Sequence, residues 1–274
     1  MSISNLIAAA GERLTPTERR IAEAVLADPT LLAFGRVSDL AGRVGTSRPS
    51  IVRFATKLGF EGYTDLQEQV RAGLTKQLSR PSERIRQENT ALAPSLAALE
   101  AGLASVFAAF DEEKLAALAA PIVSAKNVWI LTGETSRAGA HALLSGLTII
   151  RPDVHLVEEH SKGRVLSSAT EEDAAVVFDF ARYRRHSITA AQSLADFGVK
   201  IVAITDGPLS PLVALTDLWC ELTIPAIGPF DSSVPAVAAA ELLVSFVATE
   251  LRDEARERID RTEELWQATG TFLP

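Results

Sequence analysis

Residues 38–60 read SDLAGRVGTSRPSIVRFATKLGF, two short runs with apolar faces joined through a glycine. Ser38 can cap a first helix whose Leu40, Ala41 and Val44 face inward. Gly45 stands where a left-handed residue is wanted, since glycine alone takes positive φ without a Cβ clash. Ser47 can cap a second helix, with Pro49 in its first turn and Ile51, Phe54, Ala55 and Leu58 inward; Gly59 closes it. A helix-turn-helix needs a small residue in the first helix, glycine in the turn and apolar residues inside the second. Ala41, Gly45, Ile51 and Phe54 follow one another at intervals of four, six and three residues, as that geometry requires. The packing leaves Arg48, Ser50, Arg53 and Lys57 on the sides or outer face, with Thr46 and Ser47 at the N-terminal end. That end of a recognition helix enters the major groove, so these six residues are the expected contacts to double-stranded operator DNA. A three-helix protein-interaction domain with a solvated basic face is the competing reading.

Upstream, Thr15-Pro16-Thr17-Glu18 marks another helix start, with a Thr cap, Pro at the first position and Glu three residues after the cap. Ile21, Ala24 and Val25 share a face, and Asp28-Pro29 ends the helix. The formal net charge of −8 speaks against DNA only until it is divided along the chain. Residues 1–80 carry 11 Lys and Arg against 8 Asp and Glu, a balance of +3. Residues 81–274 carry 16 against 27, a balance of −11. DNA contact is therefore expected in the first 80 residues alone.

The remaining residues have another rhythm. Residues 81–126 are rich in Ala, Leu and Glu and are expected to be helical, a connector followed by the first helices of a second domain, 127–274. Strands are expected at 128–131, 154–157, 174–180, 200–205 and 218–224, with helices at 136–149, 188–196 and 234–251, the last ending the domain. Short apolar strands alternating with helices give an α/β fold, a five-stranded, mostly parallel sheet with helices on both faces. Ligands of such sheets lie beyond the carboxyl ends of the strands. Three segments occupy those ends. Gly133-Glu134-Thr135-Ser136 forms a turn whose N–H groups can meet an anion. Arg182, Arg184 and Arg185 follow the third strand, and Asp206 follows the fourth.

Cys220 is the single cysteine, which excludes an internal disulfide and a cysteine-built zinc site. No secretory leader and no run of some 18 consecutive apolar residues is seen, so a cytoplasmic protein without a membrane span is expected. No cofactor or metal is expected.

Two passages carry a resemblance that covers nearly the whole chain. LAGRVGTSRPSIVRFATKLGFEGYTDLQ ends in a Phe-x-x-Lys-Leu-Gly-Phe-x-Gly-Tyr run at Phe54–Tyr63, and GVKIVAITDGPLSPLVALTD follows later. They resemble the RpiR/MurR family of bacterial transcriptional regulators, in which a helix-turn-helix precedes a sugar isomerase (SIS) domain. The resemblance implies DNA binding, dimerisation through the SIS domain as a homodimer or dimer of dimers, and a phosphosugar-like effector. It aligns Ser136 with a ligand-binding serine and Ser232 and Ser233 with a further serine region. After the third strand, however, such domains carry a Ser-x-Ser-Gly-x-Thr run for the phosphate, and this chain has Asp179-Phe180-Ala181-Arg182-Tyr183-Arg184-Arg185. Arginine pairs with phosphate or carboxylate bidentately, so a small anionic metabolite, held also by Gly133, Glu134, Thr135 and Asp206, is the expected effector. The alternative is a sugar-phosphate isomerase, with Glu134, His141, His155, Glu158, His160 and His186 as available acids and bases. No spacing among them demands catalysis, and a non-enzymatic regulator is expected.

Overall fold

Thr15 and Glu18 open the first helix by capping each other. Thr15 donates its N–H and its hydroxyl to Glu18 Oε2 at 2.7 and 2.9 Å, and Glu18 N–H donates to Thr15 Oγ1 at 3.4 Å. The computed structural model describes residues 7, 10, 14–27, 31–32, 35–68, 70, 84–85, 92–134, 136–208 and 210–272. Asp28 and Pro29, expected to end the first helix, and Thr135 of the expected ligand turn lie outside them. By contacts the chain divides into one unit holding Met1–Arg80 and another holding Pro81–Asp206 and Ser210–Pro274.

In the first unit, α1 (Pro16–Ala27) packs with α2 (Val37–Val44) and α3 (Arg48–Lys57). Ile21, Val25, Leu40, Ala41, Ile51, Phe54 and Ala55 form the shared core. Ser38 is not the cap of α2. Arg36 holds that position, and its N–H donates to Asp39 Oδ2 at 2.8 Å. A carboxylate is a stronger acceptor than a hydroxyl, so the helix begins at Val37, ahead of the expected start. Gly45 has φ 66 and ψ 45, and the Thr46 N–H returns to Ala41 O at 2.9 Å. Residues 63–68 are again helical. From there Gln67 Nε2 donates to Leu32 O and Gly35 O at 2.9 and 2.7 Å, fastening the segment that leads into α2.

The second unit begins with α4 (Leu92–Ala109) and α5 (Glu112–Ser124), the latter capped by Asp111, whose carboxylate accepts from Lys114 N at 2.7 Å. Then follow β1 (Val128–Thr132), α6 (Arg137–Ile150), β2 (Val154–Leu156), α7 (Lys162–Leu166), β3 (Ala174–Phe178), α8 (Arg185–Asp196), β4 (Lys200–Thr205) and β5 (Trp219–Glu221). A hairpin of β6 (Ala226–Ile227) and β7 (Phe230–Asp231) leads to α9 (Val234–Leu251) and α10 (Asp253–Thr269). The five strands form one parallel sheet in the order β2-β1-β3-β4-β5. Side chains alternate between its faces. Val128, Ile130, Val176, Phe178, Val202 and Ile204 join the core made with α5, α6 and α9. Trp129, Leu131, Ala175, Val177, Ile201 and Ala203 join the core made with α8.

The domain does not end with α9, as expected; α10 follows. Only Ala255 of α10 is buried, and its sequence is mostly charged, unlike a core helix. The strands at 174–180 and 218–224 also shorten to β3 and β5. By length and composition α4 and α9 are each apolar enough to cross a bilayer, yet α9 is a core helix with Ala236, Ala239, Ala240, Leu243 and Val247 buried. On α4, Leu92, Leu96, Leu103 and Phe107 stay exposed along one face.

At the amino ends of the strands, the buried Asp173 carboxylate gathers four donors. Asn127 N and Nδ2 reach Oδ1 at 3.0 and 2.9 Å, while Trp129 Nε1 and Thr170 N reach Oδ2 at 3.1 and 3.0 Å. Burial acts to raise its pKa, but these hydrogen bonds outweigh it and hold the carboxyl below its ordinary value. Asp173→Ala strands buried donors and should cost on the order of 3 kcal/mol in chemical denaturation. Because the folded pKa is lowered, the parent's advantage over this variant should be full above the unfolded value of about 4 and vanish as pH falls through the folded one.

Gly45→Val should cost on the order of 2 kcal/mol through backbone strain alone, because a Cβ there meets nothing within 4 Å. All three tryptophans, Trp129, Trp219 and Trp266, lie in the second unit. Thermal melts of the full chain should therefore show an earlier loss of helical circular dichroism with the tryptophan fluorescence transition unmoved.

Candidate functional site

The outer face of α3 carries Arg48, Pro49, Val52, Arg53 and Thr56, all exposed, backed by the buried Ile51, Phe54 and Ala55. At its N-terminal end Thr46 is half-buried and Ser47 exposed. Ser47 holds the N-cap position, but its hydroxyl lies 3.0 Å from Ser50 Oγ rather than on a backbone N–H. Arg53 Nη2 donates to Ser50 Oγ at 3.2 Å, which continues the polar chain along the helix. Five of the six expected DNA contacts thus gather at one end and side of α3. Lys57 is different. Its Nζ meets Glu18 Oε2 at 2.7 Å, tying α3 to the capped start of α1. Burial acts to raise the Glu18 pKa, but hydrogen bonds from Lys57 and Thr15 outweigh it and hold the carboxyl below its usual value. Lys57 is thus engaged within the domain by Glu18. Sequence reasoning missed Val52, which is 41% exposed. The signal was present: Val52 falls four residues after Arg48, outside the arc of Ile51, Phe54 and Ala55, and an apolar side chain there can meet a thymine methyl.

In the second unit the strand order reverses between β1 and β3, the place where open parallel sheets leave a crevice. Gly133 ends β1 there, donating its N–H to Phe178 O at 2.9 Å. A Cβ on residue 133 would collide with Asp179 Oδ1, so the turn can close on that carboxylate only as glycine. Asp179 is 1% exposed. Its Oδ2 accepts from Arg184 N–H at 3.1 Å and from the Ser187 hydroxyl. Burial pushes the carboxyl up to about 6, against the opposing pull of Ser187, the Arg184 N–H and His186.

Several expected ligand residues are committed elsewhere. Ser136 is fully buried; its hydroxyl donates to Phe178 O at 2.7 Å and lies 2.9 Å from Thr132 Oγ1. Asp206 accepts from Ala181 N–H at 2.8 Å and from the Tyr183 hydroxyl at 2.5 Å, and burial raises the pKa of both side chains. Ser232 Oγ accepts from Val234 N–H at 3.2 Å at the start of α9, and Ser233 holds the N-cap position there. These hydroxyls and carboxylates are hydrogen-bonded within the chain. Arg182 has φ 71 and is exposed, Arg185 is exposed, and Arg184 pairs with Glu134 at 3.3 Å in a half-exposed bridge.

A cleft of about 320 Å³ opens beyond the ends of β1 and β2, with Glu134, Arg137, Glu158, Glu159, His160 and His186 on its walls and Gly133 at its edge. Arg137 pairs with Glu158 at 3.4 Å. His186 places Nε2 3.1 Å from Thr132 O and Nδ1 3.7 Å from Glu159. Of the expected ligand residues among those described, Gly133 and Glu134 line this space. Of the candidate acids and bases, Glu134, Glu158, His160 and His186 come together in it. His155 instead stacks on Trp129 at 4.9 Å, and His141 is exposed on α6.

A model of the rpiR-family helix-turn-helix domain matches residues 1–77, and a model of the SIS domain matches residues 115–246. The chain belongs to the RpiR family of transcriptional regulators. Among curated relatives of this RpiR chain, a protein of Caldanaerobacter subterraneus named as an HTH-type transcriptional regulator is 22% identical over 259 residues, 92% of each chain. Among solved structures, the sugar isomerase domain of an RpiR transcription factor from Sphaerobacter thermophilus has TM-score 0.59 at 19% identity, covering 64% of this chain and 99% of that one. The Vibrio vulnificus NanR protein, complexed with ManNAc-6P, has TM-score 0.55 at 20% identity, covering 97% and 98%.

In this RpiR chain the Lys57–Glu18 bridge separates two roles that the sequence merged. Lys57→Met should lower the stability of the first unit by about 1 kcal/mol, a modest sum because the lysine is a third exposed. It should leave the salt dependence of operator binding unchanged, whereas loss of a true phosphate contact lowers that slope by about one. A salt titration of both proteins on one DNA duplex checks it.

Proposed function

We propose that this regulator reads double-stranded operator DNA with the outer face of α3 and works as a homodimer. We further propose that its SIS domain is a sensor for a small polar metabolite held beyond the strand ends. One observation carries the DNA reading: Arg48, Val52 and Arg53 stand exposed together on a helix backed by Ile51 and Phe54, behind the left-handed Gly45 turn. Guanidinium groups suit guanine edges and phosphates, and the valine suits a thymine methyl. The −11 balance of residues 81–274 repels DNA and supports contact through residues 1–80 alone.

Two copies would set two α3 helices in successive major-groove faces, about 34 Å apart or a multiple of that. We assign the exposed apolar face of α4, Leu92, Leu96, Leu103 and Phe107, to the contact between copies, since a stripe of that kind on a soluble chain calls for cover. The effector reading rests on the cleft at the sheet's crevice, and the ManNAc-6P complex of the NanR protein motivates trying sugar derivatives first. A sensor fits the cleft better than a catalyst does. Glu134 and Glu158 are each paired with an arginine and His186 is hydrogen-bonded to Thr132 O, so these groups are engaged before any substrate arrives. An anionic metabolite gripped by Arg182, Arg184 and Arg185 is the competing version. The exposure of Arg182 and Arg185 favours it, and the carboxylate buried beneath the same loop opposes it.

Selection from random duplexes should return a site with two-fold symmetry. On that site Arg48→Ala and Arg53→Ala should each cost on the order of 1–3 kcal/mol, and Val52→Ala should relax a preference for thymine. Leu96→Glu with Phe107→Glu should shift sedimentation to the monomer and weaken operator binding. Arginine variants that bind the selected site as the parent does would contradict the assignment of α3.

A further inference from the structure

We propose that Asp179 sets the specificity of the sensor: its buried carboxylate occupies the anion position of the β3–α8 turn, so that the effector is a neutral or cationic molecule and not a phosphate or carboxylate. The inference rests on the reading of the strand-end crevice as the effector site. The donors that a turn of this kind offers to an anion are backbone N–H and hydroxyl groups at the start of the following helix. Here the Arg184 N–H and the Ser187 hydroxyl both donate to Asp179 Oδ2. The other carboxylate oxygen lies against Gly133, where any Cβ would collide with it. The loops after β1 and β3 therefore close on an anion that belongs to the chain.

A second anion would meet a like charge in a poorly solvated place and find these donors taken. The surroundings add to the effect. Glu134, Glu158 and Glu159 face the cleft, and Asp206 accepts from Ala181 N–H and the Tyr183 hydroxyl in the adjoining loop. Of the nearby cations, Arg137 is paired with Glu158 and Arg184 with Glu134, while Arg182 and Arg185 are exposed and do not line the cleft. Among the described residues, the cleft's three carboxylates, Glu134, Glu158 and Glu159, outnumber its one arginine, Arg137, so the space is net acidic. Acceptors take hydrogen-bond donors, so hydroxyl and ammonium groups fit where phosphate does not.

The test is the melting temperature of the full chain at pH 8, followed by tryptophan fluorescence in the second unit. Inorganic phosphate and glucose 6-phosphate are the probes, with sodium chloride at equal ionic strength as the control. The parent should show no rise beyond the chloride control. Asp179→Ser, which opens the turn, should gain a rise of several degrees that saturates with phosphate, as binding to the native state requires. Asp179→Asn keeps the shape and removes the charge; it should gain a smaller rise and serves should the serine variant fold poorly. A parent already stabilised by either probe, or a folded variant that gains nothing, overturns the proposal. Operator binding is measured alongside on the same proteins. Its absence in the parent would count against the regulator reading, while the melting data alone decide the role of Asp179.

Discussion

The second unit is organised around the contact of Asp179 with Gly133. Parallel strands place the ends of β1 and β3 side by side at the reversal of strand order, and the two loops must then share one space. Glycine at 133 lets the carboxylate in, and the carboxylate in turn fixes the start of α8 through Arg184 N–H and Ser187. Thr205 Oγ1 binds Asp179 O at 2.7 Å, which joins β4 to the same point. The crevice that a ligand would use is thus shaped by a charge the chain supplies itself.

The same device recurs along the chain. Glu18 caps α1, Asp39 starts α2, Asp111 caps α5, Asp173 ties the amino ends of the strands and Asp206 holds the loop before α8. In each case a carboxylate accepts a backbone N–H that would otherwise lack a partner. Some of the acidic composition therefore serves turns and helix starts. It does not conflict with a basic hand for DNA, because the acids concentrate in residues 81–274 and the exposed arginines of α3 stand in the other unit.

Much of the fold was legible because its signals are local or repetitive. Strands β1, β3 and β4 are buried on both faces, so they appear as continuous apolar runs, and Gly45 and Gly59 mark left-handed turns with φ 66 and 97. The start of α2 was misplaced because Asp39, not the nearer Ser38, supplies the acceptor. The site was less legible. Three arginines in one loop look like a cradle, but the course of that loop is set by Asp206 and Asp179. They bind it through Ala181, Tyr183 and Arg184 and leave Arg182 exposed in a left-handed conformation. The Lys57 ion pair was not foreseen because its partner, Glu18, is 39 residues away. Contacts across such separations do not show in spacing.

Regulation by this chain turns on whether the outer face of α3 touches base edges of the operator. Photo-cross-linking of the full chain answers that without an intermediate step, with a photoreactive residue placed at Val52 in one protein and at Phe230, exposed in the second unit, in another. A cross-link from position 52 to a base within each half-site, and none from position 230, is the expected result. Cross-links from position 230 with none from position 52 would contradict it.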